Sequence, residues 1–495
     1  MVLGAVILAG LGLGALAWRL QEGPLPLPLL AREVEKAVNG GRDGMRLEIG
    51  EVAVAWSGWR DGHRSPLALT LRQVRAVGDD GLVRAELPDA AVSLSLPWLL
   101  RGVVAPSVLE LEGLSVVAAR SVEGQLRLDL GEPADVSAAE AAGRPPAPES
   151  PPLLDLFAQL MKPPSDNTPL SALRRVRLTD ARLHVVDAQF GRSWTAEIGT
   201  LALTRRQGGG VDLSGNGALV LETGQVGLRV NGSIDGASGL GSLTMAMPAV
   251  RPATLAGSAP ILAPLAAIDA PASLAVDVQL DGLRIPTVAL ARLRVGTGAI
   301  DLGPQGRLAL SALDADLTLD EQTLRVERAV LRPAPPPGRT MAGAPPIITA
   351  QAQAQHAEGK WQAEATLALD QVAAADLDAY WPAGVARGAR EWLTENLTGG
   401  IARDGSWRIA ADWDPASGGV RIRSLDGTLE AEDMEVHWLR PIPPAIGATG
   451  HARFGLDAIE IDVTGGTQSG TAIALREGTV RIGFTNYSSK NLLTY

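Results

Sequence analysis

No cysteine occurs among the 495 residues of this chain. Disulfide bonds and structural zinc sites with thiolate ligands are therefore both excluded. Lysine is also rare: it occurs at Lys36, Lys162, Lys360 and Lys490, so nearly all of the 44 basic residues are arginine. Acidic residues outnumber basic ones and the net charge is −11. This balance excludes the basic surface with which proteins bind nucleic acid.

The residue patterns of the common catalytic sites are absent as well. There is no Gly-x-x-x-x-Gly-Lys phosphate loop, no Gly-x-Ser-x-Gly turn and no His-Glu-x-x-His zinc helix. The five histidines are dispersed along the chain. Glu391 and Glu395 stand one helical turn apart and imitate an acid/base pair, but exposed carboxylates on an amphipathic helix are far commoner. We therefore predict a protein that is not an enzyme and binds no cofactor or metal.

One long apolar stretch opens the chain. Val2 to Trp18 carry no charge, Arg19 follows, and a helix of this length spans about 26 Å, at the short end of what crosses a bilayer. A cleaved signal peptide is the alternative, because Ala15-Leu16-Ala17 resembles a signal-peptidase site. We predict an uncleaved transmembrane anchor at 1–19. Its apolar side chains are Val2, Leu3, Val6, Ile7, Leu8, Leu11, Leu13, Leu16 and Trp18.

From about residue 45 onward the hydrophobic pattern has a period of two. Ile459, Ile461 and Val463, for example, alternate with Glu460 and Asp462. Such alternation predicts antiparallel strands with one apolar and one polar face. The 56 glycines and 34 prolines suit many short connections. The apolar positions that we predict to line one face are Leu67, Leu69, Leu71, Val92, Leu94, Leu96, Val420, Ile422, Met434, Val436, Ile459, Ile461 and Val463.

Changes in composition divide the chain into predicted segments. They are an anchor (1–19), a connector with a short amphipathic helix (20–44), a first β segment (45–130), a disordered loop (131–152), a second β segment (153–332), a Pro-rich loop (333–346), a central β region with a helix at 385–397 (347–484) and an atypical tail (485–495). Long loops within one continuous sheet would give the same pattern. The tail suggests a truncated or frameshifted end.

The apolar face needs a cover, and few helices are predicted to supply it. Either the sheet folds over on itself, or something other than protein covers the face. For a periplasmic chain anchored in a membrane, lipid acyl chains are the obvious candidate.

Two stretches near the end resemble a known family. Residues 376–400 (DLDAYWPAGVARGAREWLTENLTGG) resemble the central region of YhdP-type proteins of the AsmA-like superfamily. Residues 434–450 (MEVHWLRPIPPAIGATG), continuing through 459–466, are similar to a second part of that region. The specific resemblance covers roughly residues 376–482. Between 20 and 375 only the general layout is similar.

The resemblance implies a single-pass protein of the bacterial inner membrane with most of its chain in the periplasm. It also implies a long, twisted antiparallel sheet, curled into a groove that conducts phospholipid toward the outer membrane. Members of the family are commonly about twice as long, so this chain resembles an N-terminal half or a truncated member. The alternative, from a different class, is a non-catalytic assembly factor that binds outer-membrane or other envelope proteins through its sheet edges.

Overall fold

The structure of the protein is a computed structural model. It describes residues 19, 25–26, 45–56, 67–78, 83–120, 126–130, 152–165, 169–188, 192–221, 224–257, 260–281, 289–320, 323–357, 360–414, 419–485 and 492–494. The predicted anchor residues Val2–Trp18, the helix predicted within 20–44 and all but the last residue of the predicted loop 131–152 lie outside these ranges.

The prediction of a mainly β protein is confirmed. Strands make up 66% of the structure, and the helices are few and short. Among the described residues, no helix is long and apolar enough to span a bilayer. The chain divides into two compact units, the first made of residues 1–246 with 278–286 and the second of residues 247–277 with 287–495.

The first unit contains strands from the N-terminal half of the chain. They are β1 (Leu25–Pro26), β2 (Met45–Trp56), β3 (Leu67–Gly78), β4 (Val83–Leu94), β5 (Pro106–Glu112), β6 (Ser115–Arg120), β7 (Leu126–Leu130), β8 (Arg175–Asp187), β9 (Arg192–Arg205), β10 (Gly210–Leu221), β11 (Gly224–Asp235) and most of β12 (Leu240–Val250). Its helices are α1 (Leu96–Leu99) and α2 (Pro152–Met161), with a 3₁₀ turn at Pro169–Ala172. Leu96, predicted to continue the strand of Val92 and Leu94, instead begins α1.

The sheet of the first unit is mixed, which corrects the prediction of purely antiparallel strands. β2 to β5 and β8 to β12 pair antiparallel with their neighbours in sequence. However, β5 and β6 pair in parallel with the first and second halves of β8. Parallel neighbours require a long crossover, and the chain between β6 and β8 supplies it.

A buried arginine holds the crossover segment of the first unit. The guanidinium of Arg205 is 8% exposed and donates hydrogen bonds to the backbone oxygens of Lys162, Pro163, Ser171 and Leu173. Burial lowers the pKa of this guanidinium from its usual value. These bonds fix the chain after α2, whose Leu160 is packed with Leu173, Val176 and Val211 in a core. Neither α2 nor its packing was predicted from the sequence.

The second unit is a longer meander. Its strands are β13 (Ile268–Asp269), part of β14 (Ala272–Asp281), β15 (Ala289–Val295), β16 (Gly298–Asp301), β17 (Arg307–Leu319), β18 (Thr323–Pro333), β19 (Ile348–Ala357), β20 (Lys360–Ala373), β21 (Leu397–Asp414), β22 (Gly419–Val436), β23 (Ala445–Gly455), β24 (Ala458–Gln468), β25 (Gly478–Thr485) and β26 (Leu492–Thr494). From β17 to β26 each strand pairs antiparallel with the next.

The two ends of this meander differ. At one end, here called the turn end, at most four residues join β17 to β18, β19 to β20, β21 to β22 and β23 to β24. At the other, the cap end, the connections are long: residues 334–347, 374–396, 437–444 and 469–477. The predicted Pro-rich loop 333–346 is therefore, apart from Pro333 at the end of β18, a connection between two paired strands, β18 and β19.

Most helical structure of the second unit lies in the connection 374–396. It consists of a 3₁₀ turn (Ala374–Asp376), α4 (Leu377–Tyr380) and α5 (Arg387–Asn396). The helix predicted at 385–397 corresponds to α5. The other helical pieces are α3 (Pro252–Leu255) and 3₁₀ turns at Pro260–Ala267 and Gly303–Gln305.

Two glycines make room for a tryptophan on the sheet of the second unit. A Cβ added at Gly427 would collide with the indole of Trp407, and one added at Gly405 would lie 2.5 Å from Cη2 of the same ring. The ring therefore lies across both glycines and meets Phe454 edge-on, with centroids 5.8 Å apart. An aromatic ring that covers strand glycines compensates for the side chains they lack.

Substitution of Gly427 by alanine should therefore destabilise the protein by about 1–3 kcal/mol, because the new methyl group displaces the Trp407 ring. The matched control is Gly465→Ala in β24, where a Cβ meets no atom within 4 Å. Thermal unfolding followed by near-ultraviolet circular dichroism measures both variants. Equal melting temperatures for the two variants would contradict this account of Trp407.

Candidate functional site

The apolar face of the second unit is continuous from strand to strand, although the register shifts at bulges between Asp316 and Leu317, Val326 and Ala329, and Ala410 and Ala411. In antiparallel pairing, directly opposed residues point to the same side of a sheet. The first row of opposed residues contains Leu317, Val326, Ala352, Ala365, Ile409 and Leu425. This row crosses the six strands β17 to β22, which at about 4.8 Å per strand is a width of roughly 24 Å.

Parallel rows extend the face in both directions along the strands. The row toward the turn end contains Leu319, Leu324, Ala354, Ala363, Ala411 and Ile422. The row toward the cap end contains Ala315, Ala329, Ala350, Leu367, Trp407, Gly427, Phe454 and Ile459. These three rows are called the apolar face below.

The middle of the apolar face is lined by the smallest side chains. Five neighbouring positions on β19 and β20 are alanine, here called the alanine patch: Ala350, Ala352, Ala354, Ala363 and Ala365. On one side they are flanked by Val326 and Leu324, and on the other by Ile409. Since a methyl group stands lower than a leucine or isoleucine side chain, the patch is a shallow depression running along the two strands.

Burial varies across the face. Ala291 and Leu293 on β15 are 4% and 5% exposed, whereas Leu317, Val326 and Ile409 are half-buried. At the turn end, Ile422 and Val420 are 45% and 65% exposed. In the part of the chain that the structure describes, the main contacts of β18 and β19 are with their neighbouring strands. Covering such a partly exposed apolar face with an apolar ligand is favourable, because it removes apolar surface from water.

The cap-end connections cover one end of the face. Tyr380 of α4 is 9% exposed and belongs to a core with Val372 and Ala402, against which Leu369 and Leu377 pack. A second core, of Ala374, Met434 and Ala448, adjoins the start of the same connection. The helical connection therefore packs on the ends of β20 and β21.

Charged groups hold together the connections 334–347 and 374–396, here together called the cap. The carboxylate of Asp376 is 2% exposed and accepts hydrogen bonds from the backbone N–H groups of Ala342 and Gly343. The guanidinium of Arg339 donates to both oxygens of Asp378, at 2.8 Å each. The Pro-rich connection is thus tied to the 3₁₀ turn by the carboxylate of Asp376 and to α4 by that of Asp378.

Arg390 attaches α5 to the same cap. Its guanidinium donates to the backbone oxygens of Trp381 and Asp378 at 2.8 and 3.1 Å. The indole N–H of Trp381 donates to the oxygen of Val385. Glu391 and Glu395, the pair considered above, are both exposed on α5.

The opposite face of the sheet is polar and charged. Asp412, for example, accepts a hydrogen bond from Arg421 at 2.7 Å, with Arg423 at 2.9 Å, and these arginines hold the pKa of the carboxyl below its usual value. A depression of about 480 Å³ is lined by Arg325, Glu364 and Arg408 together with Val326, Ala352, Ala365 and Ile409 of the first row. The lining of this depression therefore combines charged residues with residues of the alanine patch and its two flanks.

The predicted face residues of the first unit lie in or against protein cores. Leu69 and Leu94 are buried with Ile49 and Val52, and Leu71 and Val92 pack against them. Leu96 is half-buried in α1, and the side chain of Leu67 lies outside the described residues.

The predicted residues of the second unit are found in three environments. Met434 is buried in the core beside the cap and Val436 packs against it. Ile459 is buried, and Ile461 and Val463 are half-buried. Val420 and Ile422 are exposed at the turn end. Sequence reasoning missed the alanine patch and its flanking residues, although the alternation of alanine with glutamine at 350–355 was a usable signal.

Metal binding finds no support in the described ranges, where no three His, Asp or Glu side chains cluster as metal ligands. In comparisons with known proteins, no family model, curated protein or solved structure matches the chain.

The Arg339–Asp378 pair should make the cap sensitive to acid. The hydrogen bonds from Arg339 lower the pKa of Asp378, so its ionised form stabilises the folded state above about pH 4 and this contribution disappears as the pH falls through the lowered pKa. The Asp378→Asn variant should melt roughly 1–3 °C below the parent protein near neutral pH. This deficit should vanish in acid.

Thermal unfolding at a series of pH values measures this. Arg339→Gln should show the same trend, and the double variant should lose no more than either single one, because both remove one interaction. A deficit that is independent of pH would show that the ion pair does not fasten the cap.

Proposed function

We propose that this chain binds the acyl chains of phospholipids along the apolar face of its second unit. The observation that carries the proposal is the unbroken apolar face, with half-buried side chains and an alanine depression at its centre. In this proposal an acyl chain lies along β19 and β20, on the alanine patch, between Val326 and Ile409.

Hydrophobic transfer supplies the affinity. Each methylene group removed from water contributes about 0.8 kcal/mol, so several in contact with the face hold a chain without any specific polar contact. The same property lets the lipid slide, because neighbouring apolar rows offer similar surfaces. Headgroups would remain in water at the margin of the face.

The biological setting is part of the proposal. The apolar segment Val2–Trp18 and the resemblance of residues 376–482 to YhdP-type proteins support an inner-membrane protein with its β units in the periplasm. There the sheet, curled into a groove, would conduct phospholipid toward the outer membrane. The competing function is that of an assembly factor without lipid.

Photocrosslinking tests for the lipid directly. We expect p-benzoylphenylalanine at position 409 of the full chain, in cells grown with radioactive phosphate, to capture labelled phospholipid on illumination. The same group at position 408 should capture none, because Arg408 is exposed on the polar face of the same strand. Equal labelling at both positions, or none at either, would contradict the proposal and favour the assembly factor.

Filling the depression provides a second test. Ala365→Phe should reduce lipid capture, measured as phospholipid extracted from the purified full chain by mass spectrometry, because the ring occupies the place of the acyl chain. Ala368→Phe is the matched control, since Ala368 lies on the same strand and is exposed on the polar face.

Melting temperatures distinguish loss of binding from loss of folding in these two variants. If Ala365→Phe is folded and retains the lipid content of Ala368→Phe, the acyl chain does not lie on the alanine patch.

A further inference from the structure

Exposed apolar side chains are concentrated on two connections at the cap end of the second unit. These are residues 437–444, between β22 and β23, and residues 469–477, between β24 and β25, here together called the tip. Its large exposed side chains are Trp438 (50%), Leu439 (53%), Ile442 (38%), Ile473 (62%) and Leu475 (37%). Side chains of this kind are usually buried, so their grouping at one place marks an interaction surface.

The tip is held in place by hydrogen bonds. The side-chain amide of Gln468 donates to the oxygen of Pro443, and the N–H of Ser469 donates to that of Pro444 at 2.9 Å, which joins the two connections. Arg440 donates to the backbone oxygen of Glu395 at 2.9 Å, which ties the tip to α5. The exposed side chains therefore project from an ordered backbone.

The tip also carries little negative charge: Glu477, its last residue, is the one acidic residue in the sequence of 437–444 and 469–477. Acidic residues make up 55 of the 495 residues of the chain, yet none occurs at 436–456 or at 463–476. Arg440 and Arg476, both exposed, lie within these stretches. A chain with a net charge of −11 thus presents an apolar surface whose two arginines outnumber its one acidic residue.

We propose that the tip docks on the surface of a bilayer that contains anionic phospholipids. An exposed tryptophan favours the interface between headgroups and acyl chains, and the neighbouring leucine and isoleucine side chains gain free energy on entering it. Arginines beside them are attracted to anionic headgroups. An acidic protein partner would match the charge as well, but it would not require the tryptophan to enter an apolar phase.

This inference goes beyond the proposed function, because it concerns a membrane surface outside the apolar face. Docking of the tip does not require an acyl chain on the alanine patch, so either idea can fail while the other survives.

The absence of cysteine makes the test specific, since one introduced cysteine is the only labelling site. The full-length variant Leu439→Cys is labelled with an environment-sensitive nitrobenzoxadiazole dye. The control is Leu290→Cys, because Leu290 is exposed to a similar degree (52%) and opposes Thr318 on the face opposite to the apolar face. Both variants share the N-terminal apolar segment, so its insertion into a vesicle affects them alike.

Each labelled protein is mixed with vesicles of phosphatidylcholine alone, or of three parts phosphatidylcholine to one part phosphatidylglycerol. We expect the dye at 439 to brighten, shift to the blue and be quenched by brominated acyl chains in the anionic vesicles. At 290 it should do none of these. Arg476→Glu in the 439-labelled protein should weaken the response roughly tenfold in lipid concentration, because it reverses a charge at the surface.

An identical response at 439 and 290 would overturn the proposal, as would a dye at 439 that responds to neither kind of vesicle. An unchanged response in Arg476→Glu would show that charge does not select the surface. Circular dichroism of each labelled variant establishes that it is folded, so a negative result counts against docking.

Discussion

The structure of the second unit depends on the register between its strands. Because side chains alternate in direction with a period of two, a shift of one residue in any pair would move every apolar side chain of that strand to the polar face. Leu317, Val326 and Ala352 are opposed in succession, and Thr318, Arg325 and Gln353 are opposed one position away. Each strand therefore places its apolar side chains on the same side of the sheet as the strand before it, and its polar side chains on the other.

An amphipathic sheet built in this way has ends that need cover, and each unit meets this need with a helical connection. In the first unit, α2 packs its Leu160 into a core, and the following chain is fixed by the buried guanidinium of Arg205. In the second, Tyr380 packs at the end of the sheet and the carboxylate of Asp376 holds the adjoining connection. A buried charge that is matched by backbone groups holds irregular chain in one place, because moving the chain would leave the charge unpaired.

Many of the strands, and the helix α5, were predictable because the hydrophobic periodicity of their sequences is strong. The alternation of apolar and polar residues at 459–463 indicates a strand, and β24 is found there. The helical spacing of apolar residues around Trp392 indicates a helix, and α5 is found there. The parallel pairing of β5 with β8 was not predictable, since it depends on a crossover whose path no local pattern encodes. The strand β19 lies within the predicted central β region, but its alanines, which alternate with glutamines, were not singled out as face positions because alanine has a low preference for strands and little hydrophobicity.

The alanines that were not singled out lie at the centre of the candidate site, and their weak signal has a physical reason. A position that touches a neighbouring protein layer needs a large side chain to fill the space, and large side chains give the clear alternation by which strands are recognised. A position that leaves space for a ligand is better served by a small one. Ala352 and Ala365 therefore give a weak sequence signal for the same reason that they suit an acyl chain. Leu69 and Leu94, which gave a strong signal, pack among side chains of their own unit.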